Sequence, residues 1–183
     1  MLALLCCSAA AVNGAELISL STLTENILVL EFKEGEARRE RRGSGIDGKV
    51  TKRPLDLGVA MDSASYALAD AEGKQVHPLK VHRKSKGTDY ARVGAWEIDY
   101  VLTHQIYLIF ERPLVPQQAY TLRGEGLFEP KQISFGPLRN RSEAVQVNQV
   151  GFYPQAESKH AYVSHWLGDG GGLPLKSYFG RTF

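Results

Sequence analysis

Short runs of branched and aromatic residues, separated by turn-forming residues, recur along most of this chain. Leu17–Thr22 and Ile27–Phe32, joined by the polar Thr24–Asn26, predict two strands with a tight connection. Further candidate strands are Leu57–Met61, Ser65–Ala69, Val76–Val81, Ala95–Val101, Ile106–Phe110, Tyr120–Leu122 and Ile133–Phe135. Helical periodicity is weak throughout. Residues 17–136 are therefore predicted to form an all-β, immunoglobulin-like β-sandwich.

Two of these segments carry more specific predictions. The near-continuous apolar run Ile106–Phe110 is typical of a central strand that is covered on both faces. Tyr120 follows a proline-bounded turn, where a corner tyrosine can hold the turn through its hydroxyl group.

The clearest alternation of polar and apolar residues lies at Ala95–Val101, where Trp96, Ile98 and Tyr100 share one face. Such a stripe of large apolar residues favours a place in the core. The alternative is a sugar-binding surface, because flat aromatic rings suit the apolar faces of pyranoses. That alternative requires exposed aromatic rings and fails if Trp96, Tyr100 and Tyr107 are all buried.

Lysine and arginine cluster in two segments, although 22 Lys+Arg against 20 Asp+Glu leave a formal charge of only +2. The first is Lys33–Arg53, with the run Arg38–Arg42, and the second is Lys80–Lys86. Either could bind acidic polysaccharide or nucleic acid, but no aromatic residues are interleaved for stacking. A solvated loop is therefore predicted for each, and the overall charge predicts no nucleic-acid partner.

The first residues resemble a secretory signal. Residues 2–12 are almost all apolar or small, too few for a membrane-spanning helix, and Ala9–Ala11 offers a cleavage site. Residues 1–15 are therefore predicted to be a signal peptide and the protein to be secreted, periplasmic or displayed at the cell surface, without a transmembrane span. Both cysteines, Cys6 and Cys7, would leave with the signal, which excludes disulfides and thiol chemistry from the mature chain.

The remaining chemistry-bearing residues form no recognisable site. The five histidines lack metal-ligand spacing, and Asp169 lacks the further carboxylates of a calcium loop, so that a hairpin turn is the simpler prediction for Gly168–Gly172. Phosphate-binding loops and nucleophile elbows are missing from the sequence. We therefore assign no catalytic, cofactor-binding or metal-binding residue and predict no cofactor.

The last segment carries the most specific pattern. After a polar linker at residues 137–142, the sequence V-Q-V-N-Q-V-G-F-Y-P at Val145–Pro154 is followed by K-H-A-Y-V at Lys159–Val163. This predicts a strand, a turn and a second strand. With Asn148, Gln149, Gly151 and Pro154 at their spacing, it resembles the opening of the immunoglobulin-like domain that precedes the catalytic domain in glycoside hydrolase family 9, the cellulase type.

The resemblance covers residues 143–183 and implies a truncated second immunoglobulin-like domain. It also implies the non-catalytic N-terminal part of a secreted polysaccharide-degrading enzyme, whose partners would be the catalytic domain of the same polypeptide and, as a further candidate, polysaccharide. The catalytic carboxylates would lie outside this chain. The alternative is a secreted or cell-surface β-sandwich that binds partners in adhesion and has no hydrolase activity.

Overall fold

The computed structural model describes residues 14–42 and 45–178, and nearly all of the predicted signal peptide, residues 1–13, lies outside that range. Twelve strands and one short α-helix, α1 (Leu57–Ala60), are formed within it. The strands are β1 (Glu16–Thr24), β2 (Ile27–Lys33), β3 (Gly35–Arg42), β4 (Gly45–Lys52), β5 (Tyr66–Ala69), β6 (Gln75–Val76), β7 (Lys80–Arg92), β8 (Ile98–Ile109), β9 (Ala119–Gly124), β10 (Phe128–Ser134), β11 (Val145–Val147) and β12 (Ala161–Val163).

Two four-stranded antiparallel sheets face each other. The first has the strand order β1-β2-β8-β7 and the second β10-β9-β5-β6. Their facing side chains form the main core, whose fully buried members include Leu28, Leu30, Phe32, Tyr66, Leu68, Ile106, Leu108 and Leu122. The prediction of an all-β sandwich is confirmed.

The first sheet is also covered on its outer face. Ile27 and Val29, which alternate with the core residues of β2, join Leu23 and Tyr107 in a second apolar cluster. Its other members, Ala144, Leu167 and Leu173, come from the C-terminal segment. The prediction of a central strand at Ile106–Phe110 is confirmed, because β8 is buried between β2 and β7 and on both faces.

The C-terminal segment forms a small hairpin and is attached to this outer face. β11 pairs with β12 in antiparallel register, Val145 opposite Val163. The predicted linker is also held to the sandwich: the Asn140 amide donates to Thr22 Oγ1 at 3.1 Å, and the Ser142 hydroxyl donates to the Leu23 carbonyl at 2.5 Å. Residues 140–175 therefore contact the first sheet at several points, while the boundaries of a second domain stay a prediction.

The predicted strand at Leu57–Met61 is wrong, because residues 57–60 form α1. The Asp56 carboxylate accepts hydrogen bonds from the backbone nitrogens of Gly58 and Val59, at 2.9 and 3.2 Å. An aspartate in this position satisfies donors that the first helical turn leaves free. A short apolar run such as residues 57–61 is compatible with either a strand or a helix. The capping by Asp56 favours the helix.

The turn before β9 has the predicted corner tyrosine. The Tyr120 hydroxyl accepts a hydrogen bond from the backbone nitrogen of Val115 at 3.0 Å and lies 3.3 Å from Gln118 Oε1. Gln117, between them, has a positive φ of 66°, a conformation that the tyrosine contact helps to hold.

No helix in the described part of the chain is long and apolar enough to cross a membrane.

We expect Leu167→Ala to destabilise the sandwich by about 2–4 kcal/mol, because the side chain is 2% exposed between the C-terminal segment and the outer face of the first sheet. Chemical denaturation with a sheet-sensitive signal measures this effect. Leu138→Ala is the matched control, since Leu138 is 98% exposed and its removal should change the unfolding free energy by less than about 0.5 kcal/mol. Equal effects of the two variants would show that the segment does not stabilise the sheet.

Candidate functional site

The longest hairpin of the fold extends past the rest of the sandwich. β7 and β8 have thirteen and twelve residues and pair from Lys80 opposite Ile109 to Arg92 opposite Ile98. β2 covers only the C-terminal part of β8, because the last residue of β2, Lys33, lies opposite Thr103. The end of β7, the beginning of β8 and their connection at residues 93–97 therefore project from the sheet.

One face of this projecting end carries aromatic side chains. Tyr90 and Tyr100 lie directly opposite each other, with ring centroids 6.3 Å apart and planes tilted by 47°. Each is about half exposed, and Trp96, in the connection, is 99% exposed. We call Tyr90, Trp96 and Tyr100 the aromatic strip. Large apolar side chains in solvent are the informative exception in a folded protein, since burial would stabilise them.

The prediction that Trp96 and Tyr100 belong to the core is wrong. The alternation correctly places Ile98 and Tyr100 on one face of β8, but Trp96 lies in the connection before it, and that face extends beyond the second sheet and stays uncovered. Tyr107, which shares the apolar character of this segment, is fully buried in the second cluster. The exposed-ring condition for a sugar-binding surface is thus met at Trp96 and Tyr100 and not at Tyr107.

The opposite face of the projecting end is covered by the basic segment. β3 and β4 form a hairpin, with Arg38 opposite Lys49, and lie against β7 and β8. Ala91 and Val101 are fully buried there. Gly48 permits the approach, because a Cβ atom at that position would lie 2.6 Å from the Cβ of Ala91.

The predicted solvated loop at residues 33–53 is therefore wrong, as is the loop predicted at residues 80–86, which belong to β7. Charged side chains can alternate along paired strands whose backbone groups satisfy one another, so that a run of charge does not require irregular structure. The basic segment has no aromatic residue of its own, but in the folded chain it lies beside the aromatic residues of β7 and β8.

Two ion pairs connect the hairpins. Arg39 pairs with Asp89, and its guanidinium carbon lies 5.2 Å from the centroid of the Tyr90 ring, in cation–π contact. Lys52 Nζ lies 2.5 Å from Asp99 Oδ1. The pKa of Asp89 is lowered by the backbone hydrogen bond from Tyr90 and by Arg39, and that of Asp99 by the hydrogen bond from Lys52 and the backbone of Tyr100. Both carboxylates thus stay ionised beside the strip.

A buried polar cluster holds the base of the basic hairpin. His104 is 2% exposed; its Nδ1 lies 2.7 Å from the Ser85 hydroxyl, and its Nε2 lies 2.9 Å from Glu34 Oε1. The angle at this second contact is too poor for a directed hydrogen bond, so that we treat it as an electrostatic contact. Glu34 Oε1 also accepts from the Leu55 nitrogen at 2.8 Å.

This serine, histidine and glutamate set is structural. The imidazole is enclosed, and both of its nitrogens face protein atoms, so that it cannot reach a substrate. The Arg83 guanidinium donates to the Ser85 hydroxyl at 2.6 Å and restrains it further. The cluster links the sheet to the segments before β3 and after β4. The sequence placed His104 between two predicted strands, and nothing in it paired that histidine with Glu34, seventy residues away.

The other histidines make their contacts away from the strip. His165 Nε2 lies 2.9 Å from the Tyr107 hydroxyl, which donates to Gln105 Oε1 at the same distance. His82 lies 3.4 Å from Asp169, whose carboxylate accepts from the Arg83 nitrogen at 2.8 Å. Asp169 sits in the short 3₁₀ turn Gly168–Gly170, so this residue anchors a turn. Among the described residues, no three potential ligands come close enough together to hold a metal ion.

A shallow cavity of about 500 Å³ lies on the second sheet, away from the strip. Its lining includes Ser65, His77, Arg123 and Phe128. The His77 ring is tied to the backbone there, with Nδ1 2.6 Å from the Tyr66 carbonyl oxygen. Three exposed aromatic rings beside a basic hairpin make the projecting end the stronger candidate.

The chain matches no family model, and comparisons with curated proteins and with solved structures give no significant match. The resemblance of residues 143–183 to the glycoside hydrolase family 9 domain stays a prediction, and the candidate site rests on its geometry.

We expect His165 to make the fold less stable in mild acid. Burial is the main cause that lowers the pKa of His165, and the nearby Lys84 lowers it further, against a smaller opposing effect of Glu143. The unfolded chain, with an ordinary histidine pKa of about 6.5, then binds the proton more readily than the folded one. The stability contributed above that pH is lost as the pH falls below it.

Melting temperatures at about pH 7.5 and about pH 5.5 measure this effect in the wild type and in His165→Gln. The variant removes the titrating group, so its melting temperature should fall less between the two conditions. His160→Gln is the control, because His160 is exposed and its ring forms a hydrogen bond with the neighbouring Ser158. An equal pH dependence in all three proteins would contradict the assignment to His165.

Proposed function

We propose that this chain is a non-catalytic β-sandwich of a secreted polysaccharide-degrading protein of the glycoside hydrolase family 9 type, and that it binds polysaccharide through the aromatic strip. The observation that carries the proposal is the exposure of Tyr90, Trp96 and Tyr100 on one projecting hairpin. Hydrolysis would belong to the catalytic domain of the same polypeptide, which this sandwich would bring to its substrate.

The geometry of the strip suits a sugar chain. The apolar face of a pyranose ring is flat, and an aromatic ring of similar size covers it while the hydroxyl groups remain in water. The two tyrosines stand side by side across the strands, and Trp96 extends the surface at the tip. Each ring is large and has only two side-chain torsions, so that binding orders it at a small entropic cost.

The strip is also held in place before any ligand arrives. Tyr90 packs under the Arg39 guanidinium, and Tyr100 lies against Gly87, where a Cβ atom would be 3.4 Å from its ring. Ala91 and Val101, on the covered face, fix the strands that carry both tyrosines. A preorganised surface loses less free energy on binding than one that must first form.

A second function, adhesion through protein partners, is favoured by the hairpin of β11 and β12. Val145, Val147 and Tyr162 are 50–70% exposed on strands of three residues each. Strands with apolar side chains beside a free edge can accept a strand from a partner. This surface lies on a different part of the molecule, so that variants can separate the two functions.

We expect Trp96→Ala and Tyr100→Ala each to weaken polysaccharide binding about tenfold, which corresponds to about 1.4 kcal/mol. Affinity electrophoresis of the whole chain through gels containing hydroxyethylcellulose, xylan or polygalacturonate measures it. Neither variant should lower the melting temperature, because both side chains lie outside the core.

Trp166→Ala and Tyr162→Ala are the matched controls, since these rings are also exposed but lie near the other hairpin. They should bind as the wild type does. Absence of retardation in all three gels would contradict the proposal. Loss of binding in the control variants alone would move the site to the C-terminal hairpin.

A further inference from the structure

The charges of this chain are divided between its parts. Residues 33–53 and 80–102, which form β3, β4, β7 and the projecting part of β8, contain 13 of the 22 Lys+Arg and 7 of the 20 Asp+Glu. They carry a formal charge of +6, which leaves −4 on the rest of a chain whose total is +2. The small net charge therefore conceals a basic end and an acidic remainder.

The fold places cations of this basic end at the aromatic strip. Arg39, from the basic hairpin, lies over the face of Tyr90. Arg92 is exposed and lies two residues after Tyr90, on the same face of β7. Cations thus stand at the edge of the surface on which a sugar ring would stack.

Arg39 is oriented for a ligand with a negative charge. Asp89 holds one side of its guanidinium, and the Tyr90 ring supports its face. A guanidinium has five N–H donors in a rigid plane, so that the pair with Asp89 leaves donors free. Carboxylate and sulfate groups accept two such donors at once, in a geometry that neutral hydroxyl groups do not match.

We infer that the ligand of the aromatic strip is an acidic polysaccharide, a chain of pyranose rings that bear carboxylate or sulfate groups. This inference rests on the proposed function and gives its substrate class. The rings stack on Tyr90, Trp96 and Tyr100, while the acidic groups reach the arginines at the edge of the strip. The aromatic contact supplies orientation and the cations supply charge.

Nucleic acid shares some of this chemistry but fits the surface less well. Asp89 and Asp99 pair with Arg39 and Lys52, which neutralises part of the positive charge near the strip, and Glu97 follows Trp96 directly. A nucleic acid gains most of its affinity from many phosphate contacts with free cations, and these ion pairs reduce the charge available for them. Nucleic-acid-binding domains are in addition strongly basic as a whole, and this chain is not.

The test compares polygalacturonate with the same polymer after full methyl esterification, which removes the charge and keeps the sugar backbone. Titration calorimetry of the whole chain at about 50 mM NaCl should give at least tenfold tighter binding to the acidic form. The difference should shrink at about 500 mM NaCl, where screening shortens the range of the attraction. An oligothymidylate serves as the nucleic-acid probe under both conditions.

Arg39→Gln should lose most of the preference for the acidic form and keep its affinity for the esterified form. Arg112→Gln removes the same charge from an exposed position outside the basic end and should behave as the wild type does. Circular dichroism verifies that both variants are folded.

Equal binding of the two polymers, still dependent on Trp96, would overturn the acidic class and leave the proposed function in place. Failure of both polymers to bind, with retardation by hydroxyethylcellulose or xylan retained, would overturn the inference alone, and failure of every polysaccharide would overturn both. Tighter binding of the oligothymidylate than of polygalacturonate would assign the surface to nucleic acid and overturn the inference.

Discussion

The structure depends on burying both faces of β2 and β8. Side chains alternate along a strand, so that four successive buried residues at Ile27–Leu30 require cover on each side. The second sheet covers one side, and Ala144, Leu167 and Leu173 cover the other. The C-terminal segment therefore forms part of the apolar cover of the first sheet. β8, however, is longer than β2, and its far end needs separate cover.

The candidate site follows from how that far end is covered. The basic hairpin packs on one face, with Gly48 against Ala91, and leaves Tyr90 and Tyr100 exposed on the other. Arg39 and Asp89 then join segments that are fifty residues apart. Stacking rings and cations, each ordinary in its own segment, meet on one surface only because the two hairpins lie together.

The sequence predicted the elements whose signals are local. The apolar run Ile106–Phe110 identified a central strand, and the turn before Tyr120 identified a corner tyrosine. It failed where the answer depends on distant residues. Periodicity placed Trp96 and Tyr100 on one face of a strand, but the length of β2 and the position of the second sheet decide whether that face is covered.

The basic segment also shows that local sequence cannot predict contacts between distant residues. A run such as Arg38–Arg42 carries no local sign that β3 and β4 pair with each other and pack on β7. The contact between His104 and Glu34, which holds the base of this hairpin, is likewise invisible in a chain where the two residues are seventy positions apart. The basic segment contains no aromatic residue between its cations. In the folded chain, the aromatic residues of β7 and β8 lie beside it.

Nuclear magnetic resonance of the two tryptophan indole groups tests the central claim most directly, since the chain contains only Trp96 and Trp166. Titration with polygalacturonate oligosaccharides should shift the indole resonance of Trp96, assigned by its loss in Trp96→Ala, and leave that of Trp166 in place. A shift confined to Trp166, or unchanged indole resonances at saturating ligand, would contradict the account of the aromatic strip as the binding surface.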